Sequence, residues 1–439
     1  MIVEQVKRKG NSLLNFFEYL LLLALVVNAN TIYVRLPANE NNLVHFIVLF
    51  MMTIGVVGCL FCKNKVSVKR FDKGIGVTIL FIIYGVIFIL ARPNNLVGDL
   101  HMMVACSVLL LFYFLYCSDN EIPSLFYKYR NVIFWIACVS IFMWLFCSVF
   151  RIFPATGEVY SSWSNTGEYK RVPNYLYIYF ETQTTDSFGL NNIVRNTAIF
   201  TEAPMASLHF SLALLVELFF SKKISKTKAI VLIIAIITTF SMTGYLLVLM
   251  AVGIKILLYK PRHDSVRLAK YFLAPVGMVA VFSVGFLLVK SKLSSSSGSV
   301  RLDDFVAGYE VWRENILFGT GSGELHHEAV VSHMSSFRLN NTGFSNSTMM
   351  VLSERGLYGG ILYLSCFVKG IYDAIKHKNL NKFLFTVLFL YLFAITVMAS
   401  LYLTYFILIF LANHKSEQKI KYAVQSKQLS KTRSDQTAA

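Results

Sequence analysis

The stretch "GIGVTILFIIYGVIFILA", Gly74 to Ala91, runs for eighteen residues without a charge. At about 1.5 Å of rise per residue, a helix of that length covers most of the ~30 Å hydrocarbon core of a bilayer. The run is too long and too continuous for the alternating strands of a membrane barrel, so it predicts a membrane-spanning helix.

The rest of the chain repeats this signal. Of 439 residues, 56% are hydrophobic and only 15% charged, with 37 Phe and 23 Tyr, a balance too apolar for a water-soluble domain. Further apolar runs place spans at 12–29, 43–62, 74–91, 100–117, 131–151, 203–220, 228–240, 243–259, 271–289, 346–369, 382–397 and 400–413. The fold class is therefore all-α, a polytopic helical membrane bundle of about 12 transmembrane helices. The runs 228–259 and 382–413 are each too long for one helix and too short for two full spans. Each reads as a tight hairpin, broken at "TFSMTGY" and "VMAS".

Charge placement sets the orientation. With the N-terminus inside, the inside connections collect the lysines and arginines, among them Lys63, Lys65, Lys69, Arg70 and Lys73, while the short outside loops hold only Arg35 and Arg92. Residues 1–413 form one membrane domain, and 414–439 a basic cytoplasmic tail. The formal charge of +17 is then topology and contact with anionic lipid, and nucleic acid is not a partner. No small-residue cleavage site follows the first apolar run, which reads as a retained helix. The seven cysteines all fall within or at the ends of spans, implying neither a disulfide framework nor a cysteine metal site.

Two connections are long, 152–202 and 290–345, both outside by the alternation of spans, and long loops tend to carry function. The first holds Lys170, Arg171, Arg195 and Glu202 with the run "YLYIYF", Tyr175 to Phe180. In a strand that run would set Tyr175, Tyr177 and Tyr179 on one side, for stacking on sugars or as an interfacial belt. The second holds Arg301, Asp303, Asp304, Arg313 and Glu314, then "FGTGSGELHHEAVVSH", Phe318 to His333. Glu324 and Leu325 follow its last glycine where a phosphate loop needs Lys and Ser or Thr, and Thr320 stands where a nucleophile elbow needs Gly. His327 and His333 are six apart, not the four that shares a helical face for zinc. What survives is a glycine-dense turn that lets the backbone pass close to a neighbour or a ligand.

"SVRLDDFVAGYEVWRENILFGTGSG" followed by "SNSTMMVLSERGLYGG" resembles the late segment of the O-antigen polymerase and ligase superfamily, an arginine-bearing stretch, a Phe-Gly-x-Gly turn, a loop and a Glu-x-Gly-x-x-Gly helix. "RNTAIFTEAPMASLHF", Arg195 to Phe210, is similar to that superfamily's earlier motif. As motif, the resemblance covers about a sixth of the chain. It implies a glycosyltransferase at the outer face of the bacterial cytoplasmic (inner) membrane. A growing glycan on undecaprenyl diphosphate would be moved to the terminal hydroxyl of an incoming lipid-linked repeat unit, without metal or other cofactor. Membrane lipid, a chain-length regulator and a flippase of the same pathway are the implied partners.

Such chemistry needs cations for the departing diphosphate, a base for the attacking hydroxyl and an apolar groove for the lipid. The candidates for diphosphate or glycan binding are Arg195, Arg301, Arg313, Arg171 and His209, with Gly319, Gly321 and Gly323 shaping the turn. The candidates for the base are Glu202, Glu354 and His333. Each has a plainer reading: Arg195 and Arg301 could pair with Asp186 or Asp303, Glu202 could serve the helix dipole, and His209 could bond a neighbouring helix. Glu354 and Arg355 lie too deep in a span to be free, so they are functional or paired within the bundle. Ligases of the superfamily usually carry a histidine where Ser345 stands here and Ser-Arg where this chain has Ser241-Met242. The expectation is therefore a repeat-unit polymerase, with a lipid A-core ligase and a lipid-linked oligosaccharide transporter as alternatives.

Overall fold

The apolar runs form helices. In the structure, a computed structural model describing residues 2–37, 42–63, 67–118, 120–163, 169–187, 190–258, 296–338 and 341–415, these are α1 (Ile2–Val27), α2 (Leu43–Phe61), α3 (Val68–Ala91), α4 (Leu96–Tyr116), α5 (Ser124–Met143), α6 (Ala203–Phe219), α7 (Lys226–Thr238), α8 (Met242–Leu258), α9 (Ser296–Glu314), α10 (Glu324–Ser332), α11 (Ser347–Lys376), α12 (Leu380–Ile395) and α13 (Tyr402–Asn413). The expected span 271–289 and the expected tail beyond residue 415 lie outside the described residues. Four described stretches are long and apolar enough to cross a membrane by length and composition: Leu43–Phe61, Val68–Ala91, Pro93–Tyr116 and Ser124–Val149. The helices at most of the other expected spans are shorter, so a count of twelve full-length crossings does not follow from them.

Burial sorts the helices by position. On α6 every residue except Pro204 is buried, and α13 is buried from Tyr402 to Leu411, as expected for helices apolar on all sides at the centre of a bundle. Helix α3 is the opposite case. Only Gly74, Thr78 and Phe88 are buried there, and Ile79, Leu80, Ile83 and Leu90 face outward, a surface suited to lipid and not to water. The two expected hairpin breaks are present, between α7 and α8 with Phe240 at φ 51°, and between α12 and α13.

The first long loop corrects the all-α expectation. Strands β1 (Gly157–Ser161), β2 (Lys170–Tyr175) and β3 (Tyr179–Phe180) form an antiparallel sheet, and β4 (Thr184–Ser187) pairs with β5 (Leu190–Val194). The aromatic run is no single strand: Leu176 and Tyr177 take positive φ in the turn between β2 and β3, which ends the alternation. Tyr175 and Tyr179 are buried against Met143 and Cys147, whereas Tyr177 is exposed. The second long loop is also more ordered than a turn, since α9 and α10 lie within it.

Connections distant in sequence meet on one face. Thr201 N–H donates to Asn30 O, Ser162 N–H to Arg35 O, and Asn94 Nδ2 to Thr320 O. The Met398 amide donates to Ser347 Oγ, and the Tyr402 amide to Asn28 Oδ1. Asn196 N–H donates to Thr238 O at the end of α7, so both long loops and the α7–α8 break share one end of the bundle.

Candidate functional site

The α7–α8 break is where arginines from the two long loops converge. An abrupt helix end leaves carbonyls without intrahelical partners. Arg195 takes two of them, donating from Nε to Thr239 O at 2.8 Å and from Nη2 to Phe240 O at 3.2 Å, with Nη1 on Gln183 Oε1 at 3.4 Å. From α9, Arg301 Nη1 donates to Thr243 Oγ1 at 3.1 Å. Neither arginine takes the plainer pairing: Asp186 accepts from the Asn192 amide, and Asp303 is bonded by Arg338 and Ser335.

Glu202, the N-cap residue of α6, stands in the field of both. A third guanidinium joins them, that of Arg35 from the first connection, whose plane lies 4.9 Å from the Trp163 ring centre. Trp163 also hydrogen-bonds the Glu202 carboxylate. Burial pushes the Glu202 carboxyl above its ordinary value, although Arg195, Arg301, the Trp163 bond and Arg35 all pull it down. Burial lowers Arg195 to about 10 and lowers Arg301 and Arg35 as well, with Glu202 opposing each shift. A guanidinium is effectively always protonated in proteins, so three cations act on one carboxylate.

The glycine turn and the Glu-x-Gly helix are two halves of one feature. Helix α11 breaks at Gly356, with φ 59° and ψ −159°, and its freed backbone groups are taken by the turn. Thr320 and Gly321 N–H donate to Ser353 and Glu354 O, both at 2.9 Å, while Leu357 and Tyr358 N–H donate to Ile316 O at 2.8 Å and Leu317 O at 2.9 Å. A Cβ on Gly319 would lie 2.5 Å from Ser353 O, and one on Gly356 would lie 2.4 Å from the Leu317 carbonyl. The glycines thus serve backbone approach to a neighbouring helix. With Gly319 N–H also donating to Asn315 O, these amides are not free to cradle a phosphate.

This junction holds a second polar cluster, separate from the first. Arg355 Nη2 meets Asp99 Oδ1 of α4 at 3.2 Å, and Ser322 Oγ donates to the same oxygen at 3.1 Å. His326 of α10 sits 2.8 Å from Ser353 Oγ and 3.7 Å from Glu354 Oε1. Burial lowers His326 to about 4, so it is neutral near pH 7 and the cation close to Glu354 is Arg355. Below the turn, Arg338 is buried and bonds Asp304 at 2.6 Å and Asp303 at 3.3 Å, pinning the following loop to α9 a few residues from Arg301.

The other candidates stand elsewhere. His209 is fully buried, bonded to the Tyr129 hydroxyl at 2.7 Å and stacked on Phe200 at 4.6 Å, a contact between helices. His333 lies 3.3 Å from Glu314 near the surface. Arg313 pairs with Glu310 at 2.6 Å and Arg171 with Glu158 at 3.6 Å, their side chains 63% and 68% exposed. Sequence reading missed Arg35, Asp99, His326 and Arg338; of these, Arg35 was visible only as a lone charge in a short connection.

No curated protein matches the chain. Residues 228–364, running from α7 through Arg301 and the glycine turn to beyond the Gly356 break, match the family model described as O-antigen ligase, consistent with the resemblance to the O-antigen polymerase and ligase superfamily.

Proposed function

We propose that the protein polymerises undecaprenyl-diphosphate-linked oligosaccharide repeat units into a surface polysaccharide at the outer face of the cytoplasmic membrane. The observation that carries this reading is the convergence of Arg35, Arg195 and Arg301 on Glu202 at the α7–α8 break. In the reaction the acceptor hydroxyl attacks the anomeric carbon of the donor glycan. The bond from that carbon to the diphosphate oxygen breaks, and undecaprenyl diphosphate departs with the electron pair. Three guanidinium groups against one carboxylate leave an excess of positive charge suited to that leaving group, and arginine's planar fork fits phosphate oxygens. Glu202, raised by burial, is the group to accept the hydroxyl proton, since a base works best with a value nearer the working pH.

The matched family description favours a second reading, transfer of the finished glycan to lipid A-core. The polymerase reading is preferred because Ser345, where ligases usually carry a histidine, donates to Asp304 and is no base. Ser241-Met242 likewise supplies no arginine at the α7–α8 break.

The test uses purified protein in detergent with a lipid-linked repeat unit and no nucleotide or metal. A ladder of lengthened products is expected, and Arg195→Ala and Arg301→Ala are each expected to abolish it while the protein still inserts. Intact substrate in a stable preparation overturns the polymerase reading. Glycan transfer to added lipid A-core without a ladder establishes the ligase.

A further inference from the structure

We infer that the apolar groove between α3, α4, α11 and α13 seats the polyprenyl tail of the acceptor, apart from the donor bound at the arginine cluster. This rests on the polymerase reading, in which two lipid-linked molecules must be bound together.

The groove has a volume of about 410 Å³ and is lined by side chains such as Phe81, Met103, Leu110, Leu362 and Leu408. It extends along α4 from Asp99 to Leu110, about 16 Å at the helical rise, which takes it from one end of the span to near the middle of a ~30 Å hydrocarbon layer. Leu80 on its rim is 67% exposed, so the groove opens sideways to lipid. Tyr84 and Tyr358 stack at 4.0 Å across it and hydrogen-bond each other's backbone, which fixes its width.

Its mouth carries the groups a lipid-linked sugar needs. Arg355 and Asp99 both line the groove, and Asp99, only 2% exposed, uses Oδ1 on Arg355 and Ser322 while Oδ2 has no hydrogen-bond partner among the described residues. A buried carboxylate oxygen in that state calls for a donor such as a sugar hydroxyl. Arg92 stands nearby, bonded to Asn315 Oδ1 at 3.0 Å. With Glu354 beside Arg355, two arginines meet two carboxylates at this mouth, unlike the arginine excess around Glu202. A diphosphate that stays attached through the reaction needs no excess; one that departs does.

The spacing of the two sites follows from α9. Arg301, in its second turn, and Asn315, just past its last residue, are fourteen residues apart, about 20 Å along the helix direction. An acceptor has its diphosphate at one end of the repeat unit and its attacking hydroxyl at the other. With the diphosphate at Arg92 and Arg355, that hydroxyl reaches the donor at Glu202 across the length of a short oligosaccharide.

The test fills the groove with Ser365→Trp and Ala412→Trp, each in the full chain in lipid nanodiscs. Substrates are a full-length lipid-linked repeat unit as donor, with either a full-length or a short-chain diphosphate-linked acceptor. For the unmodified protein, the long-chain acceptor is expected to have a KM at least about tenfold lower, because its tail buries apolar surface. The variants are expected to erase that preference, with a smaller change in the donor KM. A photoreactive polyprenyl diphosphate is expected to cross-link to peptides of α3 and α11, whether or not turnover occurs. Loss of donor affinity equal to that of acceptor, retention of the chain-length preference, or cross-links confined to other helices overturns the assignment. So does a co-purified phospholipid in the groove that long-chain acceptor fails to displace. Absence of any ladder from unmodified protein sinks the polymerase reading instead, and leaves the cross-linking result to decide the groove.

Discussion

Replacing Gly356 by alanine tests the bridge between the glycine turn and the broken helix. At φ 59° and ψ −159° Gly356 occupies backbone space that is essentially closed to other residues, and forcing alanine into it costs about 1–3 kcal/mol. The added Cβ would also lie 2.4 Å from the Leu317 carbonyl and 2.6 Å from Gly319 N, contacts with backbone that no side-chain rotation relieves. The turn must withdraw, and the hydrogen bonds of Thr320, Gly321, Leu357 and Tyr358 go with it, at about 1 kcal/mol each. The total is about 5–7 kcal/mol, comparable to the whole stability of many domains. The loss falls on the turn and on the seat of Asp99 and Glu354, while the helices below keep their packing. Gly319→Ala, whose Cβ would lie 2.5 Å from the same helix's backbone, breaks the same bridge. The double variant is therefore expected to cost little more than either single one. Thermal denaturation of the detergent-purified proteins, with limited proteolysis to locate the opening, reads both effects. Each single variant should show a lowered Tm, new cleavage within 316–323 and no ladder. An unchanged Tm and cleavage pattern for Gly356→Ala, or full additivity in the pair, refutes the shared bridge.

Three further outcomes follow from the same geometry. Glu202→Gln is expected to lower turnover about 100 to 10,000-fold. In the unmodified enzyme activity should fall as pH drops through the raised value of Glu202, so the acid limb lies above the ordinary carboxylate range; a limb at the ordinary value removes Glu202 as base. Arg338→Met leaves Asp303 and Asp304 buried without their cation and should destabilise by about 3–5 kcal/mol, seen as a lowered Tm; a Tm equal to that of the unmodified protein means the network does not hold the loop. Arg171→Ala and Arg313→Ala remove exposed ion pairs and should change stability by no more than about 0.5 kcal/mol with the ladder intact, so a lost ladder from either brings that arginine back into the site.

How much of this is legible in sequence depends on the range over which each feature is encoded. The spans are local: an apolar run either reaches the length of a helix or it does not, and the described helices sit at the expected places. The hairpin break at "TFSMTGY" is legible for the same reason. The strands of the first loop are short and rely on packing against Met143, Cys147 and Ile32, which no periodicity announces. The meaning of the glycines was half legible. Their spacing announces close backbone approach, but the neighbour is Gly356, more than thirty residues on, and only the structure pairs the two. Arg35 and Asp99 were illegible as site residues because each is a single polar group at a span end, and their partners come from other elements.

The pairing of those glycines also decides which groups can meet a diphosphate. A glycine-rich turn in a long loop could have offered its amides to phosphate oxygens, and a helix N-terminus could have added its dipole. Here the amides of Gly319, Thr320 and Gly321 are committed to Asn315, Ser353 and Glu354. In the proposed reaction these three amides are not available to the departing diphosphate, and its charge falls to side chains such as the clustered arginines. Arginines from two loops more than a hundred residues apart in sequence, together with Arg35, are brought to the α7–α8 break. Because Arg195 is itself held by the carbonyls that the break exposes, the short seventh helix is a requirement of the proposed site: a full-length helix through Thr239 and Phe240 would consume those carbonyls and release the arginine. The departure from a full-length span and the cation cluster have one cause.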